Sequence, residues 1–187
     1  MGTYEFTLIL EGADVLDEEA ADALFEAKCG DATFGEVDAC QYADFTRRAR
    51  SLAEAVGSAK RAIESAVPGV RVIRVEPEDL VTAADIAERT GRSRESVRLL
   101  IAGQRGPGGF PAPVSHLKSR GRIWKWADVV RWFASALSEA HHSIKEADFI
   151  SALNGALEVR RMAHRIERVS EREEVARLVR EDAALYG

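Results

Sequence analysis

Cysteine is scarce in this chain: Cys29 and Cys40 are the only two among 187 residues. Neither belongs to a CxxC pair, and no HxxxH spacing occurs, which removes a zinc site of ordinary spacing. Two small thiols in a reducing cytoplasm are expected instead of a disulfide. No apolar run approaches the ~20 residues needed to cross a bilayer. Residues 1–10 lack both a basic region and a long apolar core, so neither a secretory nor a transit signal is expected. GxGxxG, Walker, GxSxG and HExxH patterns are all missing, which removes the motif-based reasons to expect an enzyme or a bound cofactor. Hydrophobic residues make up 46% and charged residues 30%, a balance that excludes disorder throughout.

Acidic charge dominates, at a net −5, but unevenly. Residues 1–80 carry 8 Lys+Arg against 17 Asp+Glu, a net −9. Residues 81–137 carry 10 against 4, a net +6, and residues 138–187 carry 8 against 10, a net −2. Phosphate contact depends on the charge of the docking face, so the basic block keeps nucleic acid open as a partner. The three sums also suggest three units, 1–79, 80–137 and 138–187.

In the first unit Tyr4, Phe6, Leu8 and Leu10 alternate with Glu5, Thr7, Ile9 and Glu11, a strand with one apolar face. Asp17 caps a helix carrying Leu16, Ala20, Leu24 and Ala27, and Gly30 stops it. Two short strands follow at 32–37 and 40–47. Ser51 and Glu54 form a capping box before a helix with Leu52, Ala55, Val56, Ala59, Ile63 and Ala66 on one face. A strand at 70–75 completes βαββαβ, the ferredoxin-like pattern of an α+β fold. The stretch 51–64 also loosely resembles the helix of HicB-like antitoxins, an alternative that the residues leave open. Asp14, Asp17, Glu18, Glu19 and Asp22 are expected to be a solvated helix face and not a cation site. This fold assigns no function by itself; effector binding or self-association is the working expectation.

The second unit carries more information. Thr82 and Asp85 cap a helix that ends near Arg89, and Gly91 suits a tight turn. Ser93 caps a second helix that reaches about Ala102. Small Ala87, Gly91 and apolar Ile86, Val97, Leu100 and Ile101 fit the shared core of a helix-turn-helix. With that face inward, Arg92, Ser93, Arg94, Glu95 and Arg98 lie outward, from where a recognition helix reaches base edges. Glu95 can accept from cytosine or pair with Arg92 or Arg98. A Gly-rich loop, 103–110, leads to two predicted strands at 113–117 and 122–126. Their hairpin is a basic wing bearing Lys118, Arg120, Arg122 and Lys125, suited to the backbone or minor groove. Asp128 begins a closing helix with Val129, Trp132, Phe133 and Leu137. His116 is expected to point out from the wing, and Trp124 and Trp132 to anchor the core.

Phe110, Pro111, Ala112, Pro113 and Val114, followed by Arg122, Ile123 and Trp124 and then Asp128, Val129 and Trp132, resemble the AlpA and excisionase branch of MerR-like winged helices. The resemblance covers about residues 80–135. It implies a winged helix that contacts double-stranded DNA through its second helix and its wing. It departs in the longer Gly-rich connection and the two large flanking units.

The third unit repeats Ile144, Phe149, Ile150, Leu153 and Leu157 at helical spacing, then Val159, Met162, Ile166 and Val169. A new helix is expected at Ser170, where Glu173 completes a capping box. Such a seam packs on a helix of the same chain or of a second copy. The MerR resemblance favours a homodimer through this segment. His141, His142 and His164 are not expected to hold metal. Taken together the expectation is a sequence-specific DNA-binding regulator. The alternative is an antitoxin or adaptor whose acidic N-terminal domain binds a protein partner.

Overall fold

The computed structural model describes residues 1–77, 79–117, 121–138, 143–163 and 165–184. It is a mixed α+β fold. The first half runs β1 (Gly2–Glu11), α1 (Glu18–Glu26), β2 (Ala32–Val37), β3 (Cys40–Ala49), α2 (Leu52–Ala66) and β4 (Arg71–Glu76). These strands form one antiparallel sheet in the order β2-β3-β1-β4. Phe6, Leu8 and Leu10 face the two helices, as the alternation predicts. Ile9, on the opposite face, is buried as well and pairs with Tyr42, so β1 is less one-sided than its sequence suggests. Small Ala55 and Ala59 let α2 lie close to the sheet beside Val56 and Ile63, all four fully buried. Truncating Ile63 would cost about 2–5 kcal/mol by leaving a cavity. Gly12 has a φ of 114°, and a Cβ there would fall 2.0 Å from the Gly69 carbonyl oxygen. Only glycine permits this approach of two turns.

The helix caps follow local rules. Asp17 accepts from the Ala20 amide at 2.7 Å, and Ser51 accepts from the Glu54 amide at 3.2 Å. The expected Ser51–Glu54 box is only half made. Glu54 reaches one residue further back, to the Arg50 amide and guanidinium, because the cation offers several donors.

β4 carries a bulge. Ile9 pairs with Arg74 and Leu10 with Val72, so Ile73 is the extra residue. A bulge shifts the two-residue alternation by one. Val72 and Val75, three apart, therefore both reach the core. It also turns their backbone groups toward the sheet edge, where side chains satisfy them. Asn154 serves both groups of Val75, accepting from its N–H at 2.8 Å and donating to its carbonyl at 3.0 Å. Glu64 accepts from the Val72 N–H at 3.0 Å and Arg160 donates to the Val72 carbonyl at 2.6 Å. An edge strand is closed here by side chains.

The second half runs β5 (Leu80–Val81), α3 (Ala83–Thr90), α4 (Arg94–Ile101), β6 (Trp124–Lys125), α5 (Trp126–Leu137), α6 (Ile144–Ala163) and α7 (Val169–Ala184). Ile86, Val97, Leu100, Trp124, Val129, Trp132 and Phe133 form its core. The wing differs from expectation. β6 pairs with β5, and the segment before the hairpin contributes one bridge, Ser115 to Ile123. Pro111 and Pro113 cannot donate to a ladder, and β5 occupies the other side of Trp124 and Lys125. The closing helix begins at Trp126, two residues before Asp128, with the Trp126 N–H donating to the Asp79 carbonyl at 2.7 Å.

α6 packs on both halves of the fold. Ala147 of α6 joins the second core, while Ile150 and Leu157 join the first. The apolar stripe of α6 is thus used within the chain. α7 starts at Val169 and leaves Val169, Leu178 and Val179 at least half exposed.

Candidate nucleic-acid interface

Thr82 and Asp85 make the complete capping box of α3. The Thr82 hydroxyl accepts from the Asp85 amide, and the Asp85 carboxylate accepts from the Thr82 amide at 2.7 Å. Gly91 ends α3 at a φ of 66°, the left-handed region that favours glycine. The chain then reverses into α4, whose N-cap Ser93 accepts from the Ser96 amide at 3.1 Å. Ser96, Val97 and Leu100 turn inward. Ser93, Arg94, Glu95 and Arg98 are exposed, as the helical spacing predicts.

The exposed set is not uniform. Arg98 forms a two-pronged pair with Glu95, Nε at 2.8 Å and a terminal nitrogen at 2.7 Å. The guanidinium holds the Glu95 carboxyl below its ordinary pKa, and the carboxylate raises that of Arg98. Of the two roles open to Glu95, the pair with Arg98 is the one present. A base contact by Arg98 must replace that pair. Arg94 is exposed on the first turn of α4 and enters no ion pair among the described residues.

Three more of the predicted cations have partners within the chain. Arg92 is half-buried, with its guanidinium 5.4 Å from the Phe133 ring centre. Arg122 lies 5.6 Å over Trp124. Both use a cation–π contact to cover the aromatic core. The Lys125 ammonium pairs with the buried carboxylate of Asp79, which also meets Ser151 and Asn154 of α6. In a two-residue strand whose alternate side chain, Trp124, points into the core, the lysine turns to the other side, where Asp79 waits. Lys118, Ser119 and Arg120 of the wing tip lie outside the described residues, as do His141, His142 and His164.

Two features escaped sequence reasoning. Arg89 lies 5.1 Å over Trp126, and exposed Arg105 sits in the Gly-rich loop just beyond α4. That loop is tied down by indoles. Trp132 Nε1 donates to the Gly108 carbonyl and Trp124 Nε1 to the Pro111 carbonyl, each at 3.0 Å. Phe110 packs between both rings. Trp124 and Trp132 are the core anchors expected of large aromatics; where their indole N–H groups are satisfied needed the fold.

Among the described residues no group of His, Cys, Asp and Glu is arranged to hold a metal, and no helix is long and apolar enough to cross a membrane. Set against protein-family models, curated proteins and solved structures, the chain matches none of them.

Proposed function

We propose that this protein is a sequence-specific DNA-binding regulator, a winged helix-turn-helix attached to a ferredoxin-like unit. The observation that carries the proposal is the α3–α4 pair. A complete cap, a left-handed Gly91 and a second cap at Ser93 direct the first turns of α4 outward with Arg94 and Arg98 exposed. A helix so presented enters the major groove by its N-terminal residues, where an arginine donates two hydrogen bonds to guanine. The basic block of 81–137 supports the phosphate contacts, and the resemblance to AlpA and excisionase proteins supports the same docking mode. No catalytic role is proposed for any residue.

Selection of bound sequences from a random duplex pool tests the proposal directly. An enriched motif is expected, and Arg94→Ala or Arg98→Ala should weaken binding to it by ~1–3 kcal/mol where the residue contacts a base. A pool that stays random, or two variants that bind as tightly as the parent, would refute the assigned face. The homodimer belongs, on this proposal, to α7, because α6 spends its apolar stripe inside the chain. A protein partner for the acidic unit is the second proposal, favoured by Phe25, 76% exposed on acidic α1. Its test is co-purification with and without a Phe25→Asp substitution.

A further inference from the structure

β1 is longer than the strand beside it. β4 pairs with β1 only from Thr7 onward, so residues 2–6 extend past its end. Because both backbone groups of Val75 serve Asn154, strand alternation assigns those of Thr7 to β4. Two residues earlier, the amide and carbonyl of Glu5 therefore face the side that β4 has vacated. A cavity of about 210 Å³ occupies that space, open to solvent on one side and lined also by Pro77, Asp79 and the first turns of α5 and α6.

The walls are of two kinds. Tyr4, Phe6, Leu52, Trp126, Ala147 and Ile150 supply apolar and aromatic surface. Among the described residues the charged ones on the wall are acidic: Glu5, Glu76, Asp79 and Glu146. Two of these are already matched, Glu76 by Arg74 and Asp79 by Lys125. Glu5 and Glu146 are exposed and enter no ion pair among the described residues. Trp126 already faces one cation, Arg89.

We propose that this cavity binds a small organic ammonium, an apolar body carrying one protonated amine. The apolar body suits the aromatic wall. The ammonium has only donors, and the Glu5 carbonyl and the two carboxylates have only acceptors to offer it. Charge-assisted bonds of this kind offset the cost of removing the amine from water. An anion would meet carboxylates that no cation among the described residues neutralises, and a neutral body would gain no charge-assisted bond from them. The volume lies below the roughly 300–1,000 Å³ of sites for drug-sized ligands, which sets the ligand near a single ring with a short amine arm. The cavity touches β1, Asp79 and Trp126 together, so its occupant contacts both halves of the fold. The proposal does not depend on DNA binding.

The test uses the full chain and 2-phenylethylammonium as probe, followed by calorimetry and by amide and indole NMR shifts. Saturable binding is expected, with shifts at Tyr4, Glu5 and the Trp126 indole. The neutral analogue 2-phenylethanol should bind at least about tenfold more weakly. Glu5→Gln with Glu146→Gln, both at exposed positions, should narrow that preference toward equality. Absence of saturable binding, equal binding of amine and alcohol by the parent, or shifts confined to another surface would each overturn the proposal.

Discussion

The side-chain amide of Asn154 in α6 pairs with both backbone groups of Val75 in β4, 79 positions away, as a neighbouring strand would. The same amide nitrogen also reaches the Asp79 carboxylate at 3.2 Å. One buried residue thereby closes the sheet edge and joins it to the connection leading into α3.

Asn154→Ala should destabilise the protein by about 2–4 kcal/mol, since it strands a buried N–H and a buried carbonyl. Urea unfolding of parent and variant measures this. Asn154→Asp should destabilise at least as much at neutral pH: it keeps an acceptor for the Val75 N–H but sets a buried carboxylate against the Val75 carbonyl and Asp79. A shift in midpoint below that of an exposed control such as Arg168→Ala would remove Asn154 from this role.

Glu64 gives a pH prediction. Burial raises its pKa, but hydrogen bonds from Arg160, Lys60 and the Val72 amide outweigh burial and hold it at about 2. A carboxyl depressed in the folded state stabilises that state above its ordinary pKa, near 4.5, and loses the contribution as pH falls toward 2. The parent should therefore lose urea resistance across that interval more steeply than Glu64→Gln. Glu54, also held at about 2 by Arg50, lies on the surface, where water screens the pair. Glu54→Gln should leave the acid profile nearly unchanged.

Lys125 separates stability from recognition. Lys125→Ala leaves the buried Asp79 carboxylate without its cation, so the melting temperature should fall. Below that melting point the salt slope of DNA binding should match that of the parent. Arg94→Ala should behave oppositely: unchanged melting, with a slope smaller by about 1 if the residue meets a phosphate. A Lys125→Ala slope reduced like that of Arg94→Ala would return the lysine to the DNA face.

The contrast between these residues shows where sequence is informative. Thr82, Asp85, Gly91 and Ser93 act within four residues of themselves, so their caps and turn were legible, and with them the outward face of α4. The order of the first six elements was legible for the same reason. Asn154 and Lys125 carried no such local signal, because their partners are 79 and 46 positions away. The bulge at Ile73 depends on what lies across the sheet, and the pairing of Trp124 and Lys125 with β5 went unseen because β5 is a two-residue strand with no periodicity to detect. Arg47 shows the same limit. In sequence it is one more strand residue, yet in the fold it is buried, bonded to both oxygens of Asp31 at 2.7 Å and to the Lys28 carbonyl.

The homodimer proposal makes the last prediction. α6 contributes Ile150 and Leu157 to the sheet core and Ala147 to the core of the second half, so its removal would unfold the protein. α7 differs: Val169, Leu178 and Val179 remain exposed, and Arg177 pairs with Glu174 one turn away on the same helix. Ending the chain after residue 168 should therefore leave the melting temperature of a dilute sample nearly unchanged. If α7 joins two copies, sedimentation should show a dimer for the full chain and a monomer for the shortened one. Binding to a two-fold site should then weaken far more than binding to a half-site, because the second contact is no longer intramolecular. A full chain that sediments as a monomer at concentrations saturating its DNA would exclude the dimer in free solution. A shortened chain that remains dimeric would transfer the contact to another surface.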